Sequence, residues 1–219
     1  MHSIYLTGYN ALCAIGWTTV FLQSVGNIHE LWRAQVSWND VALASWNSVH
    51  TTLLIVQSLA VLEIVHSAYG LVRSPLFSTT LQVFSRLWLV WGINVLCPPS
   101  RSHWGFLVMI LSWSLVEVPR YTFYAFHLFR GVPRLLFYVR YHLFLVLYPT
   151  GVLGETLCMM NALPYLSKRY AIQLPNAHNV AISMHSVVIF ILMVYIPGLF
   201  IMYNHMLIQR KRAYANRTL

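Results

Sequence analysis

Three of the five acidic residues in this 219-residue chain, Glu63, Glu117 and Glu155, fall inside stretches otherwise dominated by apolar residues. Arg86 and Arg120 join them, with Arg140 near the entrance to another such stretch. A charge at the centre of a membrane-spanning helix costs about 2.5–3.5 kcal/mol on insertion scales, so these side chains are expected to face a protein interior. Spacing sorts them. Glu117, Arg120, Tyr121 and Tyr124 stand at i, i+3, i+4 and i+7, one helical face, which predicts an internal Glu117–Arg120 ion pair. Glu63, His66 and Gly70 share a face in the same way, with His66 expected to be a hydrogen-bonded interior histidine rather than a catalyst. Tyr141, Tyr148 and Glu155 recur every seven residues. Seven steps of about 100° fall about 20° short of two turns, which puts the three on one stripe. A phenol and a carboxyl group so placed suit chemistry in which one group removes a proton and the other supplies one. On an ideal helix Tyr148 and Glu155 stand about 10 Å apart along the axis, flanking a substrate rather than touching. Residue types alone do not choose Glu155 over Glu63 or Glu117, and mutual pairing that locks helices together is the simpler role for most of these charges.

The elements that hold them are membrane spans. The chain is 58% hydrophobic and 9% charged, with a mean hydropathy of +0.61, whereas a soluble domain carries about a quarter charged residues. A span needs about 20 apolar residues, and six are expected: Tyr5–Val25, Thr52–Val72, Phe77–Leu96, Trp104–Phe126, Tyr138–Met160 and Val180–Met206. The implied fold is all-α, a six-helix transmembrane bundle forming one domain over residues 1–219, with longer loops only at Gly26–Thr51 and Leu163–Asn179. The first stretch lacks the basic start and short apolar core of a cleaved signal peptide. Arg73-Ser-Pro75, Cys97-Pro-Pro-Ser100, Gly131-Val-Pro133 and Leu174-Pro-Asn176 punctuate the spans. Pro149 crowds the carbonyl of Leu145 and predicts a kink, while Gly151 and Gly154 leave room for a neighbouring helix or a bound chain. Placing both termini in the cytoplasm gives that side Arg73, Arg130, Arg134, Arg210, Lys211, Arg212 and Arg217, against Arg33, Arg101, Lys168 and Arg169 opposite. The sequon Asn216-Arg-Thr218 then stays unmodified.

Other chemistries are excluded. Cys13, Cys97 and Cys158 lack CxxC spacing and cannot all pair, so neither a disulfide framework nor a zinc site is indicated. The net charge of +9 lies between and inside apolar spans, which fits an anionic membrane surface or a phosphorylated small substrate and not nucleic acid. His66-Ser67, with Arg73 beyond, has the outline of a tyrosine-phosphatase signature, but serine stands where that chemistry needs a thiolate. Nothing matches a P-loop, a GxGxxG turn, an HExxH helix or a GxSxG elbow.

Leu62-Glu-Ile-Val-His66, Gly70 through Pro75, Gln82-Val-Phe-Ser-Arg86, Ser112-Trp-Ser114, Glu117, Arg120-Tyr121 and Phe123-Tyr-Ala-Phe126 together carry a resemblance that covers nearly the whole chain. Its strongest part runs from Arg140-Tyr141 through Leu147-Tyr-Pro-Thr-Gly151 to Gly154-Glu155. These residues resemble the 3-hydroxyacyl-CoA dehydratases of very-long-chain fatty acid elongation, also called protein-tyrosine-phosphatase-like A proteins and, in plants, PASTICCINO proteins. The resemblance implies an endoplasmic reticulum membrane enzyme of six spans whose catalytic tyrosine and glutamate are Tyr148 and Glu155. It implies dehydration of a (3R)-3-hydroxyacyl-CoA to the trans-2-enoyl-CoA, with Glu155 as base at C2 and Tyr148 as donor to the leaving hydroxyl, or the reverse. Pro119, between Glu117 and Arg120, departs from the aliphatic residue expected there and is expected to kink the fourth span. Supporting polar residues would be Glu63, His66, Arg86, Glu117 and Arg120, with Tyr121, Ser112 or Ser114 holding the thioester oxygen. Arg73, Arg130, Arg134, Arg210, Lys211 and Arg212 would contact the phosphates of coenzyme A. No metal or cofactor is called for beyond the coenzyme A that the substrate carries. Other elongation enzymes are the expected partners. A catalytically silent scaffold of the same fold and a small transporter with a buried proton relay are the rival readings, and enoyl-CoA formation separates them from the enzyme.

Overall fold

A computed structural model describes residues 2–129, 131–172 and 182–215. Long helices dominate: α1 (His2–Arg33), α2 (Trp38–Leu59), α3 (Val61–Ala68), α4 (Leu76–Leu87), the short α5 (Pro98–Arg101), α6 (Trp104–Phe129), α7 (Arg134–His142), α8 (Phe144–Leu166) and α9 (Met184–Ala215). The exception to the all-helical expectation is a two-residue antiparallel ladder, Ala171–Ile172 with Ile182–Ser183, between α8 and α9. Arg130, Arg217, the Leu174-Pro-Asn176 break and the Asn216 sequon lie outside the described residues.

Four helices are long and apolar enough to cross a membrane: Ser3–Arg33, Trp38–Ala68, Trp104–Leu128 and Met184–Ala215. The pair Arg134–His142 and Phe144–Leu166, bent by 44°, makes a fifth if it counts as one span. Helices of this length and composition are those of a membrane protein. The stretch expected to form another span, 77–96, is α4 running directly into eight π-helical residues, Trp88–Val95. Arg101 closes the lower end of that π-helix by donating to the carbonyls of Asn94 (3.4 Å) and Val95 (3.2 Å).

One expectation is corrected. The segment expected as a loop over Gly26–Thr51 is mostly helix: α1 continues to Arg33 and α2 begins at Trp38. Ser37 caps α2, its hydroxyl oxygen accepting from the Asp40 amide at 3.3 Å while its O–H donates to Asp40 Oδ2 at 2.6 Å. A 44° bend lies at Leu143, between α7 and α8, and α8 carries Pro149 inside a continuous helix. Proline leaves the Leu145 carbonyl without its amide partner, and the Tyr203 hydroxyl of α9 donates to it at 3.4 Å. Pro119 likewise sits within an uninterrupted α6.

The core is built where α1, α2, α6, α8 and the π-helix meet, from Trp17, Leu53, Leu89, Ile93, Phe106, Met109 and their neighbours. Helices α6 and α8 approach closely because glycines face both ways across the crossing. A methyl on Gly154 would strike the Met109 backbone, and one on Gly105 would stand 2.6 Å from Leu157 Cβ. Helix α9 is different: it packs chiefly on α8, and Val188 is its one buried residue among those described. Its many exposed apolar side chains suit a lipid environment.

Candidate active site

Helices α3, α4 and α6 bring the charged residues expected inside the spans into one network. Arg120 clasps Glu63 with both terminal nitrogens, Nη1 to Oε2 at 3.0 Å and Nη2 to Oε1 at 2.9 Å. Its Nε donates to Glu117 Oε2 at 2.6 Å, the ion pair predicted from the i, i+3 spacing. Arg86 pairs with the other oxygen of Glu117, and the Tyr121 hydroxyl donates to Glu63. Two guanidiniums thus neutralise two carboxylates, and the planar Arg120 fork satisfies both at once. His66 is buried nearby, 2.9 Å from the Tyr5 hydroxyl and edge-on to the Tyr9 ring, an interior histidine as expected.

Glu155 stands apart from that network. Its Oε1 accepts from Trp113 Nε1 of α6 at 2.8 Å, and its Oε2 accepts from the Tyr195 hydroxyl of α9 at 2.8 Å. The indole N–H is a donor only, so Oε1 must present a lone pair to it. Among the described residues the ion pairs are Arg86–Glu117, Arg120–Glu63 and Arg120–Glu117, which leaves Glu155 as the intramembrane carboxylate without a cation. Arg86 approaches it indirectly, its guanidinium 5.0 Å from the centre of the Trp113 ring.

Tyr148 shares α8 with Glu155 and looks toward the same neighbour. Its ring lies 6.4 Å from that of Tyr203, while Glu155 meets Tyr195 two helical turns away on the same helix. Both Tyr148 and Glu155 remain partly exposed, and no hydrogen bond joins them. Tyr141, expected on the same stripe, is carried off by the bend at Leu143 and packs against Phe137 and Phe123.

The hydroxyls expected near a substrate carbonyl are committed within the protein. Ser114 donates to the Ile110 carbonyl at 2.7 Å, and Tyr121 donates to Glu63. Ser112 is 3.0 Å from Thr150, whose own proton goes to the carbonyls of Val146 or Leu147, so Ser112 supplies the proton between the two.

Of the cations expected to meet phosphate, Arg73, Arg134, Lys211 and Arg212 are exposed at chain turns or in the last turns of α9. Arg210 donates to His142 Nε2 at 2.7 Å. Arginine only donates, so His142 carries its proton on Nδ1, which points at the Tyr138 carbonyl 2.9 Å away.

Trp113 and Tyr195 were absent from the expected site. Trp113 lies between the two serines of the Ser112-Trp-Ser114 motif, and each residue is an apolar body with a polar tip, the kind that needs a partner when buried in a span. Sequence spacing within one helix does not reveal a partner on another.

A family model described as protein tyrosine phosphatase-like protein, PTPLA, matches residues 57–216. The chain is 37% identical over 213 residues to the very-long-chain (3R)-3-hydroxyacyl-CoA dehydratase PASTICCINO 2 of Arabidopsis thaliana, covering 96% of this chain and 92% of that one. It is 37% identical over 211 residues to the dehydratase hpo-8 of Caenorhabditis elegans, covering 95% and 93%. It is 35% identical over 210 residues to the human dehydratase 2, covering 95% and 80%. No solved structure matches the chain.

Proposed function

The chain belongs to the protein tyrosine phosphatase-like PTPLA family, and from that premise we propose that it is a hydro-lyase that dehydrates very-long-chain (3R)-3-hydroxyacyl-CoA to the trans-2-enoyl-CoA. The observation that carries the site assignment is the unequal treatment of the three intramembrane glutamates. Glu63 and Glu117 are spent on Arg86 and Arg120, whereas Glu155 meets only neutral donors and stays partly exposed.

In the proposed reaction the Glu155 carboxylate takes a proton from C2 and the Tyr148 hydroxyl protonates the departing C3 hydroxyl. The C2–H electron pair becomes the new C2–C3 double bond, the C3–O bond breaks and water leaves. The proton now on Glu155 returns to the Tyr148 phenolate, which restores the starting state. Each group acts once as acid and once as base, so the step needs no electron acceptor. Trp113 and Tyr195 hold the carboxylate in place through both oxygens, which spares the reorganisation that water would impose.

The remaining assignments form one picture. The chain is a single domain with six crossings, the sixth supplied by α4 and the π-helix together, in the endoplasmic reticulum membrane with both termini cytoplasmic. Arg73, Arg134, Arg210, Lys211 and Arg212 then lie on the side that meets coenzyme A, and other elongation enzymes are the partners. Leu76–Val95 supplies 20 residues of unbroken helical backbone for that crossing, 12 of them α-helical and eight π-helical.

Purified protein in nanodiscs, given a (3R)-3-hydroxyacyl-CoA of long chain, should form the enoyl-CoA without added cofactor, read by mass spectrometry. Glu155→Gln and Tyr148→Phe should each abolish turnover while binding persists. Full activity in either variant removes that residue from the mechanism.

A further inference from the structure

Arg140 lacks the carboxylate that Arg86 and Arg120 have, and unlike Arg101, whose Nη1 donates to two backbone carbonyls, it is held mainly by aromatic rings. Arg86 and Arg120 are paired with carboxylates, and among the described residues no carboxylate pairs with Arg140. The Arg140 guanidinium lies 4.5 Å from the Phe123 and Tyr124 ring centres and 5.6 Å from that of Tyr141. Its Nη2 donates to the Tyr124 hydroxyl at 3.0 Å. Its Nε is buried with no acceptor among the described residues. Cation–π contact spreads part of the charge over the rings but supplies no acceptor for that N–H. A fork with an unspent donor and no counter-ion is complementary to a phosphate oxygen, which the rigid guanidinium meets in two-point geometry.

Position narrows the ligand. Arg140 precedes Tyr148 by eight residues, on the order of 12 Å of helix. At the same end of the molecule the Arg210 guanidinium, 2.7 Å from His142 Nε2 and 6.0 Å from the Tyr214 ring centre, is a second cation with no carboxylate partner among the described residues. Rings of Tyr141, Phe137 and Tyr214 connect the two arginines without interruption. A ligand that reacts at Tyr148 and reaches this cluster must carry its phosphates on an arm spanning that gap. A phospholipid keeps its phosphate within a few bonds of its ester, whereas coenzyme A separates phosphate from thioester by its pantetheine arm.

We propose that Arg140, supported by Arg210, is a phosphate-ester site that holds the nucleotide end of the acyl-CoA and so feeds the acyl chain past Tyr148 toward Glu155. This rests on the dehydratase reading above. Arg140 binds substrate and does not touch the reacting carbons, so its loss acts on affinity.

The test compares Arg140→Gln and Arg140→Lys with the unmodified protein on two substrates, the 3-hydroxyacyl-CoA and the matching 3-hydroxyacyl-pantetheine, which lacks the nucleotide phosphates. Arg140→Gln should raise KM for the CoA substrate on the order of tenfold, the worth of one charge-assisted hydrogen bond, with kcat within about twofold. The pantetheine thioester should show no change, and Arg140→Lys should fall between. Equal KM rises on both substrates would mean that Arg140 only supports the fold and would overturn the proposal. A parallel titration of coenzyme A alone, by calorimetry, should weaken by the same factor, and unchanged affinity there overturns the site. Since that titration needs no turnover, a protein that binds coenzyme A through Arg140 yet forms no enoyl product would fail the dehydratase reading and keep the site. Nanodiscs with and without phosphatidic acid supply the last arm. A variant effect seen only with the acidic lipid would assign the phosphate to a headgroup and overturn the substrate role.

Discussion

Two tyrosines stand near Glu155, and the chemistry assigns them different work. Tyr195 touches the carboxylate at 2.8 Å, whereas Tyr148 does not touch it. If Tyr195 positions the base and Tyr148 protonates the leaving group, replacing each by phenylalanine should give two distinct defects. Tyr195→Phe removes one of two hydrogen bonds on Glu155 and leaves the other, from Trp113, in place. A hydrogen bond to a charged group is worth about 1.5–3 kcal/mol, and each 1.4 kcal/mol is about tenfold in rate. The expected loss is therefore about ten- to a hundredfold in kcat, with KM within about twofold, because Tyr195 steadies a group that acts only as the barrier is crossed. Tyr148→Phe deletes the proton donor itself, and general-acid catalysis is typically worth about 10²–10⁴-fold.

Single-turnover measurements in nanodiscs, with enzyme in defined excess over substrate and product followed by mass spectrometry, separate the chemical step from release. Tyr165→Phe, at an exposed hydroxyl that accepts from Arg169, controls for loss of a tyrosine hydroxyl as such and should leave both constants unchanged. Full kcat in Tyr195→Phe would refute the positioning role. A mild Tyr148→Phe beside a dead Tyr195→Phe would refute the whole division of labour and make the tyrosine in contact with Glu155 the acid.

Two further outcomes follow from groups outside that pair. Arg120→Met leaves Glu63 without a cation and leaves Glu117, whose side chain is only 2% exposed, with Arg86 alone, and breaking a buried pair in this way costs about 3–5 kcal/mol. Thermal unfolding in detergent should shift down accordingly, and an unchanged midpoint would contradict the network's structural role. His103, just ahead of α6, accepts the Gly105 amide at 3.1 Å through Nδ1, and burial lowers its pKa from 6.5. The unfolded chain then takes up that proton at higher pH than the folded one, so stability falls as pH drops through about 6.5. His103→Asn keeps an acceptor without the titration, and its melting point should overtake the wild type's only on the acid side; parallel curves at all pH values would refute the link.

Much of this architecture could be read from the chain because the interactions involved are local. The Glu117–Arg120 pair needs only one helical turn, and the structure contains it at 2.6 Å. The extent of α1 and α2 is less legible even though Ser37-Trp-Asn-Asp40 is a capping signature, since the polar residues of 26–51 resemble a loop. Pro149 predicts a kink because proline removes a helix bond. That cost is met from outside the helix, by a Tyr203 hydroxyl 58 residues further along.

The choice among the three glutamates depends on contacts of the same non-local kind. Each is a carboxylate in an apolar stretch, with a tyrosine three to eight residues away, and periodicity cannot rank them. What separates them is what each one meets: Arg86 of α4 beside Arg120 of its own helix at Glu117, Arg120 of α6 at Glu63, and an indole of α6 with a phenol of α9 at Glu155. A carboxylate locked by two cations is a poor base, because taking a proton means breaking both pairs. One held only by neutral donors can accept a proton and keep its place. The same helices that neutralise four charges to let the bundle exist leave one carboxylate unneutralised, and reactivity follows from that asymmetry rather than from any motif.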